Sequence, residues 1–189
     1  MVVMNDAVSG TARTESADRS LRAEIAALLP DLRGFARFLV RDRTAADDLV
    51  QDALVRALAA IDQFQTGSNL KAWLFTIVRN TFYEGTRKRQ RETRLMEEHG
   101  PQDEATRPAV ESRQAVQDLQ SLLWTLPPLL REALILVGAQ EMTYDEAAIV
   151  CEVPVGTVKA RVSRGRAALA VAIRRAEGRT NDIHDPGDT

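Results

Sequence analysis

The chain has 189 residues, 44% of them apolar, enough to bury one or two small cores. Lys and Arg number 25 against 27 Asp and Glu, a formal charge of −2. That excludes a general polyanion binder and leaves any nucleic-acid contact to local charge. Cys151 is the single cysteine, so no intrachain disulfide forms, which fits a reducing cytoplasm. No apolar run reaches the length of a membrane span, and no membrane insertion is expected.

Residues 1–20 are small and polar, include Asp6, Glu15 and Asp18, and are expected to form a disordered tail with no secretory signal. From Leu21 to Val40 the spacing of Leu21, Ile25, Leu28, Leu32, Phe35 and Leu39 predicts a helix, with a break or kink at Pro30. Thr44, with Asp47 three residues on, is expected to open a second helix. Ala46, Leu49, Val50, Ala53, Leu54, Ala57, Leu58 and Ile61 give it one apolar face. Asp47, Asp48, Gln51, Asp52, Val55 and Arg56 lie opposite. Early carboxylates suit the positive end of a helix dipole, and nothing apolar surrounds these to tune them for acid–base work.

A loop over 64–69 follows, with Asn69 or Ser68 as the cap of a third helix from Leu70 to about Arg89. Leu70, Trp73, Leu74, Ile77 and Thr81 form its inner stripe, with Phe75, Arg79, Asn80 and Tyr83 turned more outward. The helix then becomes basic through Arg87, Lys88, Arg89, Arg91 and Arg94. Aromatics interleaved with cations beside a loop suit single-stranded nucleic acid, where bases stack and phosphates pair. A core aromatic cluster with a solvated basic tail accounts equally well for Trp73 and Phe82. Residues 95–113 are acidic, contain Gly100, Pro101 and Pro108, and read as a flexible linker. Gln114 to Leu126 is helical with Val116, Leu119, Leu122 and Leu123 inward, and Pro127-Pro128 separates it from a helix over Leu129 to Ala139.

The next stretch is the most informative. Thr143 and Glu146 form a capping box, and a short helix runs to about Val150. Cys151-Glu152-Val153 allows only a tight turn, and Pro154 suits the first turn of a second helix. A left-handed residue is wanted in such a turn, and the candidate is Glu152, not a glycine. In the second helix Val155, Val158, Val162 and Leu169 share a face. No acidic residue occurs from Pro154 to Ala176, while Lys159, Arg161, Arg164, Arg166, Arg174 and Arg175 are basic. This is helix-turn-helix geometry with a second helix able to enter a major groove; an ordinary helical hairpin with a solvated basic face is the plainer alternative. No strand alternation, phosphate loop, clustered metal ligands or nucleophile–base pair occurs, so the expectation is an all-α protein with no catalytic site, metal, cofactor or small-molecule substrate.

Three strings, Ala46–Asp52, Ala72–Asn80 and Pro154–Arg161, in this order and separation, resemble the extracytoplasmic-function sigma factors of bacterial RNA polymerase. Trp73 to Tyr83 is most similar to the alphaproteobacterial general-stress-response subgroup. The resemblance implies two small helical domains joined by a flexible acidic linker. These would be a disordered tail 1–20, a domain 21–94 for core polymerase and the downstream (−10) element, the linker 95–113, a domain 114–177 for the upstream (−35) element, and a disordered tail 178–189. It implies that Asp48, Gln51, Asp52 and Val55 dock on the coiled coil of the largest polymerase subunit. Gln65, Ser68, Asn69, Arg79, Asn80, Tyr83, Arg87 and Lys88 would open and hold the promoter strand. Lys159, Ala160 and Arg164 would face upstream-element bases, and Thr157, Arg161 and Arg166 its phosphates. An anti-sigma factor is the further partner implied, and the cytoplasm the location. A sigma-like mimic that only sequesters an anti-sigma factor, and a stand-alone helix-turn-helix regulator, are the alternatives.

Overall fold

The computed structural model describes residues 6–65, 67–97 and 114–182. It holds seven α-helices: α1 Asp6–Leu39, α2 Arg43–Ala59, α3 Leu70–Glu97, α4 Gln114–Trp124, α5 Pro128–Leu134, α6 Tyr144–Cys151 and α7 Val155–Asp182. A 3₁₀ turn, Ile61–Gln63, follows α2, and a π turn, Ile135–Ala139, follows α5. No strand occurs among the described residues. The linker lies outside them from residue 98 onward, as do 1–5 and 183–189.

Four expectations about element ends are corrected. Helix α1 starts at Asp6, so the tail expected over 1–20 is helical in most of its length. Ala, Arg and Glu between residues 12 and 24 favour a helix, and nothing from Thr11 to Leu29 breaks one. Pro30 stays inside α1; it sits on the exposed side, where the carbonyl it leaves unbonded can meet water. The cap of α2 is Asp42, whose carboxylate accepts the Ala45 N–H at 2.8 Å, in place of Thr44. Asp47, freed from capping, pairs with Arg33 of α1 at 3.5 Å. At the other end α7 runs to Asp182, into the tail expected from 178.

Helices α1, α2 and α3 pack together around Leu32, Phe35, Val50, Leu74, Phe75 and Val78, all at most 2% exposed. Phe35 and Phe75 stack with centroids 5.0 Å apart. Phe75 was expected toward the outside and is fully buried. Burying a side chain of this size stabilises by roughly 1.5–3 kcal/mol. The reason for the difference is that the Phe35 ring of α1 covers it. Helix α3 as a whole is covered on two sides. Helices α1 and α2 take one face, and α6, with α5 beside it, takes the other.

The second unit is α4 to α7. Leu136, Val150, Cys151, Val158 and Val162 fill its centre, and their apolar packing is continuous with that of the first unit. Helices α5 and α7 approach closely at Gly165. A Cβ there would lie 2.9 Å from Leu134 Cγ and 3.2 Å from the Leu130 carbonyl oxygen. Trp124 carries the Arg131 guanidinium 3.8 Å from its ring centre, with Arg41 of the α1–α2 loop at 5.7 Å. The Arg41 contact ties the α1–α2 loop to the second unit.

Candidate nucleic-acid interface

Three surfaces come from three helices. On α2, Asp48, Gln51, Asp52 and Val55 share one exposed face, with Val55 68% exposed. This exposed face carries one apolar side chain, Val55, beside two carboxylates.

On α3 the sequence-expected residues are brought together, but they are engaged. Asn69 caps the helix: its Oδ1 accepts the Ala72 N–H at 2.9 Å, and its Nδ2 donates to Glu146 of α6 at 2.5 Å. Lys71 Nζ donates to the Gln140 carbonyl at 2.8 Å. Arg79 Nε donates to Glu132 Oε1 of α5 at 2.8 Å, and its guanidinium lies 4.7 Å from the Tyr83 ring centre. The Tyr83 hydroxyl donates to Glu132 Oε2 at 3.5 Å. Asn80 Nδ2 donates to Glu152 Oε1 in the helix-turn-helix turn at 2.9 Å. Gln65, Ser68, Arg87 and Lys88 are exposed and stand apart from this cluster, Lys88 facing Glu92 at 3.9 Å.

Glu132 is the centre of that cluster, and the sequence reading missed it. Its side chain is 1% exposed. Burial pushes its carboxyl above the ordinary carboxylate range, while the charge and hydrogen bond of Arg79, and the charge of Arg161, pull it back. Burial and the nearby Glu132 raise Tyr83 to about 12. Burial, then Glu132, raise the Cys151 thiol to about 11, so it is a packed apolar group with no nucleophilic role at neutral pH. The only sequence signal for Glu132 was an acid at an inward position of a short helix, which periodicity alone does not separate from surface charge.

The helix-turn-helix forms as read. Thr143 and Glu146 make a reciprocal capping box. Glu152 adopts the left-handed conformation, φ 54° and ψ 44°. Val158 and Val162 anchor α7, and Lys159, Ala160, Arg164 and Arg166 are exposed. Thr157 is half-buried. Lys159 Nζ lies 5.7 Å from the Tyr144 ring centre, and Arg164 Nε donates to the Ala160 carbonyl at 3.3 Å. Arg161, expected beside the phosphate readers, turns inward toward Cys151 and Glu132; it meets the Cys151 thiol through a side-chain hydrogen bond, while its Nη1 is buried without one. It stands three residues after Val158 and four before Gly165, which puts it at the edge of the buried stripe.

Comparison with known proteins agrees with this arrangement. The family Sigma-70 region 2 matches residues 25–92, and Sigma-70, region 4, matches residues 117–169. The chain is 46% identical over 154 residues to the ECF RNA polymerase sigma factor EcfG of Rhodopseudomonas palustris, covering 82% of this chain and 85% of that one. It is 34% identical over 157 residues to the ECF RNA polymerase sigma factor SigC of Mycobacterium tuberculosis, covering 80% and 82%. Among solved structures it is similar to the sigma factor RpoE of Bartonella quintana, determined in complex with the anti-sigma factor NepR. The TM-score is 0.71 at 42% identity, over 82% of this chain and 98% of that one. The alphaproteobacterial general-stress-response subgroup fits these matches. With both halves matched in order, and a relative of nearly half-identical sequence over most of its length, the chain belongs to the extracytoplasmic-function sigma factors of bacterial RNA polymerase.

Proposed function

We propose that this sigma factor docks on the coiled coil of the polymerase largest subunit through Asp48, Gln51, Asp52 and Val55. The observation that carries this reading is the exposed acid-ringed Val55 on α2, separated from the basic face of α7. Opposite charge then serves opposite partners within one chain of near-zero net charge. Lys159, Ala160 and Arg164 read upstream bases in the major groove, Arg bidentate to guanine where it meets one. Thr157 and Arg166 set register through phosphates, and Arg161 braces the helix from its buried side. Arg79, Asn80 and Tyr83, with Gln65, Ser68 and Asn69 at the loop and Arg87 and Lys88 beyond, hold the opened downstream strand. Stabilising an unstacked base against a cost of a few kcal/mol needs a pocket and no bond chemistry, so the protein acts as an initiation factor and not as an enzyme. It works in the cytoplasm beside the polymerase, and a small anti-sigma protein of the kind bound to the Bartonella relative controls it in a stress response.

The test is transcription in vitro with core polymerase and a randomised promoter library. Promoter-specific transcripts that depend on the chain are expected. Asp48→Arg with Asp52→Arg should abolish them by weakening core binding while helicity stays unchanged. Undiminished affinity for core would overturn the docking assignment.

A further inference from the structure

We propose that the uncomplexed chain is self-closed: Glu132 and Glu152 of the second unit occupy Arg79, Asn80 and Tyr83 of α3 in place of a DNA strand, and promoter opening requires the two units to part. This rests on the reading of α3 as the strand-holding face. The chemistry is that of a phosphate surrogate. Carboxylate oxygens sit 2.8 Å from Arg79 Nε and 2.9 Å from Asn80 Nδ2, where phosphate oxygens would bind the same donors. The Arg79 side chain is 13% exposed and Glu132 1%, so no strand can reach them in this conformation.

The closure is selective. The docking face on α2 and the outer face of α7 remain open to solvent. Only the third surface is shut, which leaves the chain able to meet polymerase but unable to hold a melted strand.

Release also has a partner in waiting. Arg161 bears on Glu132 from α7 with its Nη1 buried and unbonded. When α3 withdraws, the positive charge of Arg161 remains near Glu132. A charge that keeps a nearby counter-charge on either side of the opening is what a two-state element needs if a partner is to bias it.

The experiment uses the full chain without partners. Small-angle scattering gives its radius of gyration, and fluorescence anisotropy gives its affinity for a short single-stranded DNA pool of randomised sequence. Two variants are compared with wild type. Glu132→Gln leaves two guanidiniums facing a neutral amide. Glu152→Arg places a cation at an exposed position opposite α3, and it carries the test where circular dichroism shows that the buried variant has lost helix. Wild type should be compact, and each folded variant should expand and bind single-stranded DNA on the order of tenfold more tightly, as the competent fraction rises. A wild type that is already extended, or variants that stay as compact as wild type, would overturn the proposal. Expansion with no gain in DNA affinity would uphold self-closure but remove α3 as the strand site, and with it the gating.

Discussion

Gly165 sits mid-helix in α7, where alanine is normally the better residue by about 1 kcal/mol. The fold opposes that gain. An added Cβ would lie 2.9 Å and 3.0 Å from Leu134 Cγ and Cδ1 and 3.2 Å from the Leu130 carbonyl oxygen. Carbon atoms rest near 3.5–4.0 Å, so α7 must back away from α5 by about half an ångström or more. The side chain of Leu134 can yield in part, but the Leu130 backbone cannot. Overpacking of this kind costs about 1–3 kcal/mol. Set against the propensity gain, Gly165→Ala should destabilise by about 1 kcal/mol, lowering Tm by roughly 2–4 °C for a chain of this size. Gly165→Val adds bulk with little propensity gain and should cost more. Gly85 is the control: in α3 its nearest neighbour would be Arg89 Nη1 at 3.8 Å, so Gly85→Ala should raise Tm by a similar amount. Thermal unfolding followed by circular dichroism measures all three. If Gly165→Ala raises Tm as Gly85→Ala does, the close α5–α7 approach is not what keeps a glycine there.

Asn80→Ala should impair open-complex formation more than closed binding, read by permanganate footprints of the bubble; unchanged footprints refute the assignment. Arg164→Ala should shift upstream-element preference at one position at a cost of about 1–3 kcal/mol, whereas Arg166→Ala should weaken all sequences alike and lower the salt slope by roughly one unit. Equal weakening across a sequence panel by Arg164→Ala would move that residue to the phosphate group. Cys151 is held near 11 against an ordinary value of 9.0, so its contribution to stability is full below about 9 and lost as pH rises through 11. Cys151→Ala should flatten the stability profile in that window, and iodoacetamide should label the wild type quickly only in urea; fast labelling of the folded chain refutes the burial argument.

What was legible in the sequence was whatever depends on a residue's near neighbours along the chain. The Thr143–Glu146 box and the Val158–Val162 anchor follow from spacing of three or four residues; Glu152, an unfavourable residue for the left-handed turn, adopts it all the same. The exposure of Asp48, Gln51, Asp52 and Val55 on α2 was legible for the same reason as the box and the anchor. Contacts between units were not. Arg79 looked outward because one amphipathic helix was assumed to have one buried face, and α3 has a second against the other unit; Phe75 was missed for a nearer reason, the Phe35 ring of α1 that covers it. Glu132 and Gly165 carry no signature until α3 and α5 are brought against them. Asp42 displaced Thr44 as a cap because both are good cap residues two positions apart, and the path of the chain out of α1 decides between them.

The turn before α7 has a consequence of its own. A side-chain-bearing residue in the left-handed region is strained by about 1–2 kcal/mol relative to glycine. Glu152 accepts that strain, and its carboxylate accepts a hydrogen bond from Asn80 of the other unit. Glycine there would relax the turn and forfeit the reach. Local comfort and long-range grip are set against each other at a single Cα. Glu152→Gly therefore separates two quantities that usually move together: the helix-turn-helix becomes more stable as a piece, while the whole chain becomes less tightly folded upon itself.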